Sequence, residues 1–590
     1  MEKLIIYQVF PRIFGNREKT RRKNGSLAEN GAGKFSSFTA KVLSEIRKNG
    51  FTHIWYTGII EHATQTDYTA YGIAKDHNAV VKGKAGSPYA IKDYYDVDPD
   101  LADFVPERMK EFEALIRRTH DAGMKVIIDF VPNHVARQYR SDAKPVTVQD
   151  LGEHDNVFKN FDPNNNFYYL PGQTLVLHFG AEQEDFEYSE FPARATGNDC
   201  FSPFPGRDDW YETVKLNYGI DYLHGRARHF DPIPSTWRKM LDILLFWTKK
   251  GVDGFRCDMV EMAPVEFWNW AVPRVKAERN VCFIAEVYNP ALYREYLREG
   301  RFDYLYDKVG LYDTLRDVIC GRKRADSITQ CWQAVDDIRP HMLAFLENHD
   351  EQRIASAFFA GYAQAGFPGM IVAATLGVNP VMVYFGQELG EPGMDDEGFS
   401  GCDGRTTIFD YWSLECLQHR LNGETFDGSR LSEEQKSLCR SYAQLMCIAG
   451  SEPAIRRGAF FDLMYANAHN PFFNSQYIYA FLRKYRADVV LVVANFERAT
   501  AQPVRIHIPP EAFAVLNFTD NRAAVLTDLL TGKQTVGTLT AACPFEVSVP
   551  AHSGKLLRFK YGDIESDCPE PEVIDSAWHD ERSYLSSNFM

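Results

Sequence analysis

The chain has 590 residues, more than one ordinary domain, and its 45% hydrophobic and 25% charged residues are typical of a folded globular protein and exclude wholesale disorder. Its 65 basic and 80 acidic residues give a net charge of −15, which argues against nucleic acid or an anionic membrane surface as the main partner. A neutral substrate fits this charge better.

The N-terminal segment MEKLIIYQVFPRIF runs directly into a strand-like pattern and lacks the long apolar core and cleavage site of a secretory signal. No later stretch approaches the ~18 uninterrupted apolar residues of a membrane span. We therefore expect a cytoplasmic protein that does not bind membranes. The eleven cysteines are scattered and lack C-x-x-C spacing, which favours reduced thiols over a disulfide framework or a zinc site.

Eight short β-rich segments recur along the chain, and helical patterns lie between most of them. The segments are LIIYQVF (4–10), HIWYTG (53–58), KVIIDF (125–130), VDGFRCD (252–258), VCFIAE (281–286), FDYLYD (302–307), MLAFLENHD (342–350) and PVMVYFG (380–386). Buried strands that alternate with helices predict a parallel sheet, and eight such units predict an α/β fold of the closed (β/α)8 TIM-barrel type over residues 1–134 and 236–454. The pattern alone also allows a doubly wound open sheet.

Three further regions depart from the strand-helix alternation. Residues 135–235 are rich in Gly, Pro, Asn and aromatic residues without helical period, which predicts a small irregular domain inserted after the third strand. Residues 455–560 contain alternating apolar runs separated by turns, which predict a C-terminal antiparallel β-sandwich. Residues 561–590 are acidic and contain proline, and we expect a flexible tail.

Acidic residues follow or end four of the predicted strands. They are Asp129, Asp258, Glu286 and Asp350. A single carboxylate at a strand end often only caps the next helix, but in a barrel the C-terminal ends of all strands border one pocket. Four carboxylates at four strand ends therefore predict an active site, and paired carboxylates suit glycoside hydrolysis.

The sequence around two of these carboxylates predicts different protonation states. Arg256 and Asp258 are two positions apart in a strand, so their side chains share a face, and the guanidinium keeps Asp258 ionised as a candidate nucleophile. Glu286 follows VCFIA without an adjacent cation, so apolar walls and neighbouring carboxylates are expected to raise its pKa and keep it protonated as the acid. Asp350 would face positive charge that develops on the sugar.

Four short segments resemble, in order and spacing, the signature regions of the α-amylase family of glycoside hydrolases. They are DFVPNH (129–134), GFRCDM (254–259), FIAEV (283–287) and FLENHD (345–350). The resemblance implies a retaining mechanism with Asp258 as nucleophile, Glu286 as acid/base and Asp350 as transition-state stabiliser. It also implies that Arg256, His134 and His349 hold the nucleophile or the sugar hydroxyls, and that Asp129 supports the site.

The segment SPYAIKDYYDVDPD (87–100) resembles the family segment whose tyrosine stacks under the reacting sugar, which indicates Tyr89. Tyr89 could instead be an ordinary packed tyrosine, and the two histidines could be structural. Relatives that trim single glucose units often have an aspartate after this tyrosine, and Ala90 therefore favours cleavage within chains. MVEM (259–262) replaces the lysine-histidine pair of many animal and fungal α-amylases, which leaves preference for α-1,4 over α-1,6 bonds open.

The family frequently carries a structural Ca²⁺ bound by the region I asparagine, here Asn133, and by an aspartate in a later segment. This chain reads TVKLNY (213–218), which places Lys215 at the position of the aspartate. An ammonium group removes a ligand and adds like charge, so this Ca²⁺ site is predicted to be absent, with Lys215 supplying the positive charge. No cofactor is expected to be required, and a different Ca²⁺ site elsewhere in the chain is left open.

These observations predict an α-amylase-type enzyme that hydrolyses α-1,4 bonds in starch- or glycogen-derived glucans. A transglycosylase with the same first half-reaction, or an α-1,6-acting relative, is the nearest alternative. A protein of another class, a non-catalytic α-glucan binder, remains a further alternative because barrel relatives exist that have lost the chemistry.

Overall fold

The computed structural model describes residues 3–178, 188–395, 401–423, 425–498 and 503–561. The chain forms two compact units, one of Met1–Ala374 with Asn379–Gly450 and the other of Thr375–Val378 with Ser451–Met590. All but the first residue of the predicted acidic tail lies outside the described residues. The predicted domain boundaries at 134, 235, 454 and 560 stay predictions.

The first unit contains an eight-stranded parallel sheet that closes into a barrel. Its strands are β1 (Ile5–Val9), β2 (His53–Tyr56), β3 (Lys125–Phe130), β4 (Gly254–Cys257), β5 (Cys282–Ala285), β6 (Tyr304–Tyr306), β7 (Met342–Leu343) and β8 (Val381–Tyr384). They pair in the order β7-β6-β5-β4-β3-β2-β1-β8. A parallel bridge between Ala344 and Val381 joins the two ends, so the barrel prediction is confirmed.

The barrel interior is filled by large apolar side chains from several strands. They include Ile6, Trp55, Ile127, Ile284 and Met382, each at most 1% exposed. Burial of this kind contributes roughly 1.5–3 kcal/mol per large side chain, which explains why the strand sequences are nearly continuous apolar runs. The closed sheet thereby holds the strand ends in fixed relative positions.

The predicted helices surround the strands of the first unit. In the helix Ser235–Lys250, the apolar residues Trp237, Met240 and Leu244 are buried on one face, as their spacing in the sequence predicts. The helix ends at Gly251, whose φ of 104° suits a left-handed cap. The α-helices of the described residues are Pro11–Phe14, Leu27–Asn30, Ala40–Lys48, Arg108–Asp121, Ser235–Lys250, Val265–Glu278, Tyr293–Arg298, Asp313–Ile319, Ser327–Ala334, Phe367–Thr375, Glu415–Leu421, Glu433–Ser451, Pro453–Arg456, Met464–Asn467 and Pro510–Leu516.

The segment inserted after β3 is irregular, as predicted. Its strands form three short antiparallel pairs: His134–Ala136 with Thr213–Lys215, Tyr169–Leu170 with Ala193–Arg194, and Ile220–Asp221 with Ala227–Arg228. A further hairpin precedes it, formed by Ile60–His62 and Ile91–Val97. This hairpin and the inserted segment both follow the C-terminal ends of barrel strands, where active sites of such barrels lie.

The second unit contains the predicted antiparallel β-structure. A six-stranded sheet has the spatial order Ala459–Asp462, Ile478–Tyr485, Asp488–Asn495, Ser553–Lys560, Arg522–Asp528 and Gln534–Leu539. A two-stranded sheet pairs Val504–Ile506 with Phe545–Val547. In neither unit does a described helix have the length and apolar character needed to cross a membrane. None of the described cysteines is joined in a disulfide.

The seventh strand is shorter than predicted. The sequence predicted a strand over 342–350, but β7 covers only Met342–Leu343. Beyond the strand, the Glu347 carboxylate accepts the backbone N–H of Ile354 at 2.7 Å and pairs with Arg353 at 2.9 Å, which holds this part of the chain in a loop. Asp350 therefore lies on a loop beyond the strand rather than at its last position.

Candidate active site

The backbone register places two carboxylates side by side at the C-terminal end of the barrel. Asp258 follows β4 and Glu286 follows β5, and the last residues of the two strands, Cys257 and Ala285, are paired. The ladder continues one step further, since the Glu286 N–H donates to the Cys257 carbonyl at 3.1 Å. The two acidic side chains are thus held by the sheet itself.

Arg256 joins the carboxylates of three adjacent strands. Its Nη1 lies 2.8 Å from Asp258 Oδ1 and 3.4 Å from Asp129 Oδ1, and its Nη2 lies 2.7 Å from Glu286 Oε1. The guanidinium is fully buried, and its Nε donates to the hydroxyl of Tyr306 at 3.1 Å. One buried cation therefore stabilises several carboxylates, which fixes their relative positions.

Glu286 has a cation beside it, so the expectation that it lacks one is wrong. The expectation failed because the guanidinium of Arg256 is long enough to reach the next strand. Burial raises the pKa of Glu286, Arg256 opposes this shift and the neighbouring Asp258 adds to it. The expected direction of the pKa shift is present, with burial as its largest cause. The Met259 N–H and the Tyr288 hydroxyl donate to Glu286 at 2.8 and 2.7 Å.

The backbone of Met259 is strained where it meets Glu286. Its φ is +39°, in the left-handed region that a side chain larger than glycine seldom adopts. In this conformation the Met259 N–H donates a hydrogen bond to the Glu286 carboxylate. Strain of this kind costs roughly 1–3 kcal/mol and is commonly found at functional sites.

Asp350 faces the other carboxylates from the loop after β7. Its Oδ2 lies 3.1 Å from His349 Nε2, and 31% of its side chain is exposed, so it is the carboxylate that opens most to solvent. Desolvation and the charges of Glu286 and Asp258 raise its pKa well above the usual range, while Arg256 lowers it. Glu286 and Asp350 thus hold protons at pH values where exposed carboxyls are ionised.

His349 is neutral and its tautomer is set by Gln8. Burial and Arg256 lower the pKa of His349 well below its usual value. Gln8 Nε2 lies 2.9 Å from Nδ1, and because an amide nitrogen donates, Nδ1 accepts and Nε2 carries the proton. That proton faces Asp350 and the Tyr89 hydroxyl, the latter at 2.5 Å.

Tyr89 and Asp129 form the wall of the site beside Arg256. The Tyr89 ring stacks on His349 with centroids 5.1 Å apart, and its hydroxyl lies 3.3 Å from Asp129 Oδ1. Asp129 Oδ2 accepts the indole N–H of Trp55 at 2.9 Å. Burial raises the pKa of Asp129 to about 7, although Arg256 lowers it. Asp129 thus orients an arginine, a tyrosine and a tryptophan.

His134 lies at the edge of this network. Its ring contacts Trp210, with centroids 5.3 Å apart, and its Nδ1 lies 3.2 Å from the Asn133 amide nitrogen. Burial, Lys215 and Lys82 lower its pKa to about 3, so the imidazole is neutral. His134 therefore lies between the barrel and the inserted segment, where it bonds to the backbone of Tyr89 and is near enough to Glu286 for that carboxyl to oppose the shift.

Four residues of the site were missed by sequence reasoning. They are Gln8, Trp55, Tyr288 and Tyr306, which contact His349, Asp129, Glu286 and Arg256 respectively. Gln8 offered a signal, since a polar residue in the apolar run LIIYQVF needs a buried partner. The aromatic residues gave none, because aromatic side chains are common in buried strands.

Lys215 occupies the region of the family's frequent Ca²⁺ site. Its Nζ lies 2.8 Å from Asn133 Oδ1 and 2.5 Å from Asp199 Oδ1, and its side chain is buried. It also lies over the ring of Tyr222, 5.1 Å from the centroid. An ammonium group within bonding distance of the asparagine oxygen repels a cation, so these residues do not fit Ca²⁺.

The hydrogen bond from Tyr288 predicts a pH effect. Its hydroxyl stabilises the ionised form of Glu286, so Tyr288→Phe is expected to raise the pKa of Glu286 further. If this carboxyl must be protonated for activity, activity is lost as pH rises through that pKa. The alkaline limb of the kcat/KM profile should therefore move to higher pH.

The matched control is Tyr296→Phe, which removes a buried hydroxyl bonded only to the backbone carbonyls of Val260 and Ala263. This variant should lose some stability and keep the alkaline limb in place. An unchanged limb in Tyr288→Phe, measured with the same substrate, would contradict the assignment of the limb to Glu286.

Residues 8–440 match the family model described as Alpha amylase, catalytic domain. Curated relatives include Maltase 1 of Drosophila virilis, 25% identical over 43% of this chain and 31% of its own length. An alpha-amylase of Streptomyces lividans is 24% identical over 95% of this chain and 60% of its own. An alpha-1,4-glucan:maltose-1-phosphate maltosyltransferase of Cereibacter sphaeroides is 23% identical over 75% of this chain and 64% of its own length. The chain spans about a third of the length of the fly maltase it matches.

Solved structures share the fold. The alpha-amylase of Geobacillus thermoleovorans, complexed with acarbose, has a TM-score of 0.61 and 18% identity, and covers 95% of this chain and 99% of its own. A debranching enzyme of Nostoc punctiforme has a TM-score of 0.59 and 18% identity, and the match covers 94% of this chain and 98% of that enzyme's chain. At these identities the likeness concerns the fold alone.

Proposed function

Because this chain belongs to the α-amylase family of glycoside hydrolases, we propose that it hydrolyses α-1,4-glucosidic bonds within starch- or glycogen-derived glucans by a retaining double displacement. One observation carries the proposal. Arg256 binds Asp258 and Glu286 through its two terminal nitrogens, at 2.8 and 2.7 Å. The two carboxyl groups are therefore close enough to act on the same glycosidic bond.

In the first step, the Asp258 carboxylate attacks the anomeric carbon and forms a covalent glycosyl-enzyme. Arg256 and the strand end keep this carboxylate oriented. Glu286, with its raised pKa, gives its proton to the departing glycosidic oxygen. The bond from the anomeric carbon to Asp258 forms as the bond to the leaving sugar breaks.

In the second step, Glu286 removes a proton from water, which attacks the anomeric carbon and releases Asp258. Positive charge on the sugar ring develops in both steps, and we assign its stabilisation to Asp350 in its ionised form. His349, held in one tautomer by Gln8, and Tyr89 are suited to bind the hydroxyls and the apolar face of that sugar.

Maltoheptaose tests this proposal. Hydrolysis should release shorter oligosaccharides whose new reducing end is first the α-anomer, as NMR can detect within one half-time of mutarotation. Release of the β-anomer would contradict a retaining mechanism. Absence of any product from maltoheptaose, amylose and pullulan would instead support the non-catalytic binder.

Transfer to a second sugar is the main alternative, and the similarity to the maltosyltransferase of Cereibacter sphaeroides favours testing it. A transferase shares the first step and differs only in the acceptor. Products longer than seven glucose units would identify transfer. Faster cleavage of pullulan than of amylose would identify an α-1,6 preference. We include this test because the debranching enzyme of Nostoc punctiforme shares the fold.

We also propose that Lys215 replaces the family's frequent Ca²⁺ between Asn133 and the inserted segment. The ammonium group binds Asn133 and Asp199, which a Ca²⁺ ion would otherwise have to join. Lys215→Met is expected to lower the free energy of unfolding by about 2 kcal/mol, because both oxygen partners lose a charged donor.

Lys215→Asp should gain a Ca²⁺ dependence at this position. The variant supplies carboxylates at 199 and 215 beside the Asn133 amide oxygen, and hard oxygen ligands suit Ca²⁺. Its melting temperature should rise on addition of Ca²⁺ by several degrees more than that of Lys215→Met. Equal Ca²⁺ responses of the two variants would contradict the replacement.

A further inference from the structure

A second cluster of carboxylates lies in the hairpin formed by Ile60–His62 and Ile91–Val97. It consists of Glu61, Asp93 and Asp96, which are at most 3% exposed. One oxygen from each side chain lies within 4.8 Å of those of the other two. The strand register pairs Glu61 with Asp93, and bulges on both sides of Glu61 bring Asp96 to the same place.

The three carboxylates differ in their partners. Asp93 accepts the N–H groups of Tyr95, Asp142 and Ala143 and the hydroxyl of Ser141. These bonds fix its orientation.

Asp96 accepts the N–H of Val97 and pairs with Arg108. Neither oxygen of Glu61 has a hydrogen-bond partner among the described residues, although the side chain is 1% exposed. A buried carboxyl group without a partner is costly, and this one points into two other carboxylates.

The local charge does not balance. Asp76, buried nearby, adds a fourth carboxylate to the three. Among the described residues, the cations paired with these carboxylates are Lys92, 3.0 Å from Asp76, and Arg108, 2.5 Å from Asp96. Two negative charges remain uncompensated in a buried position. The cluster therefore attracts either protons or a cation with two positive charges.

We propose that Glu61, Asp93 and Asp96 bind one divalent cation of the Ca²⁺ class. The three oxygens lie within 4.8 Å of one another, which does not exceed the separation of two oxygens on opposite sides of a Ca²⁺ ion with bonds of about 2.4 Å. A hard cation prefers such oxygen ligands, and its two charges neutralise the excess. Glu61 gains the partner that it otherwise lacks.

The position of this site gives the cation a structural role. Asp93 binds the backbone at 142 and 143, early in the inserted segment, and Tyr89 of the proposed active site lies two residues before the same strand. A cation that fixes Asp93 against Glu61 therefore ties the hairpin to the inserted segment. It is separate from the Asn133–Lys215 region.

The test is Ca²⁺ binding to the full chain after removal of metal ions with a chelator, measured by isothermal titration calorimetry at pH 7.5 and by the melting temperature. We expect one Ca²⁺ per wild-type chain, a higher melting temperature with Ca²⁺, and a smaller effect of Mg²⁺. Glu61→Gln keeps the shape of the side chain and removes its charge, so it should bind Ca²⁺ at least tenfold more weakly.

Glu190→Gln is the matched control, because Glu190 is also buried but is paired with Arg137 and Arg194. It should lose stability and keep the full Ca²⁺ response. No stoichiometric Ca²⁺ binding by the wild type, or equal binding by Glu61→Gln, would overturn the proposal. Should Glu61→Gln fail to fold, Glu61→Asp, which keeps the charge and shortens the reach, must show weakened binding for the proposal to stand. These readouts do not depend on activity.

Discussion

Asp258→Asn is expected to lower kcat on maltoheptaose by at least about 10⁴-fold, a loss typical of removing a nucleophile. The amide cannot form the glycosyl-enzyme, whereas its oxygen can still accept the hydrogen bond that Arg256 Nη1 donates at 2.8 Å. The fold should therefore be kept, which circular dichroism and the melting temperature can check. Reducing-sugar release and product analysis measure the effect.

Asp253→Asn is the matched control for this substitution. Asp253 precedes the same strand β4 at its other end, where it pairs with Arg279 and His120 at 2.7 Å. In barrels of this type that end contributes to stability rather than to chemistry. The control should lose stability and keep kcat within about threefold. Equal activity of Asp258→Asn and the wild type would refute the mechanism.

Glu286→Gln should lower kcat/KM on maltoheptaose by about 10³-fold or more, while sparing substrates that do not need an acid. Fluoride leaves without protonation, so α-maltosyl fluoride should still form the glycosyl-enzyme on Asp258. The second step then becomes slow, because water has lost its base. The covalent species should accumulate and be visible by mass spectrometry of the intact protein.

Azide gives a sharper test of the same residue. As a small anion it attacks the glycosyl-enzyme without a base, so it should restore turnover of α-maltosyl fluoride by Glu286→Gln and yield an α-maltosyl azide. It should not rescue Asp258→Asn, which forms no intermediate. If Glu286→Gln loses activity equally on the fluoride and on maltoheptaose, with no azide rescue, Glu286 is not the acid/base.

The barrel could be predicted from sequence because its strands are buried on both faces, so LIIYQVF, KVIIDF and PVMVYFG are nearly continuous apolar runs. The positions of Asp258 and Glu286 followed from the same pattern, since residues that follow paired strand ends must be neighbours. Their proposed roles, the cytoplasmic location and the domain boundaries stay predictions.

Other features depend on contacts that no local pattern shows. The pairing of Arg256 with Glu286 depends on how far a guanidinium reaches across the sheet, and the loop after β7 is held by the bond between Glu347 and Ile354. Glu61 lies in IIEHA, which reads as an ordinary strand, and its approach to Asp96 results from two bulges in the hairpin register. Such long-range geometry has no signature in a single sequence.

The ladder bond between Glu286 and Cys257 has a consequence for engineering. The spacing of the two reacting groups is set by hydrogen bonding between adjacent barrel strands. The hairpin and the inserted segment lie around these two groups. Exchanging those surrounding loops for those of other family members should therefore change which glucans are accepted and leave the bond-breaking machinery intact. The strand ends keep the reacting groups in place while the loops around them determine substrate specificity.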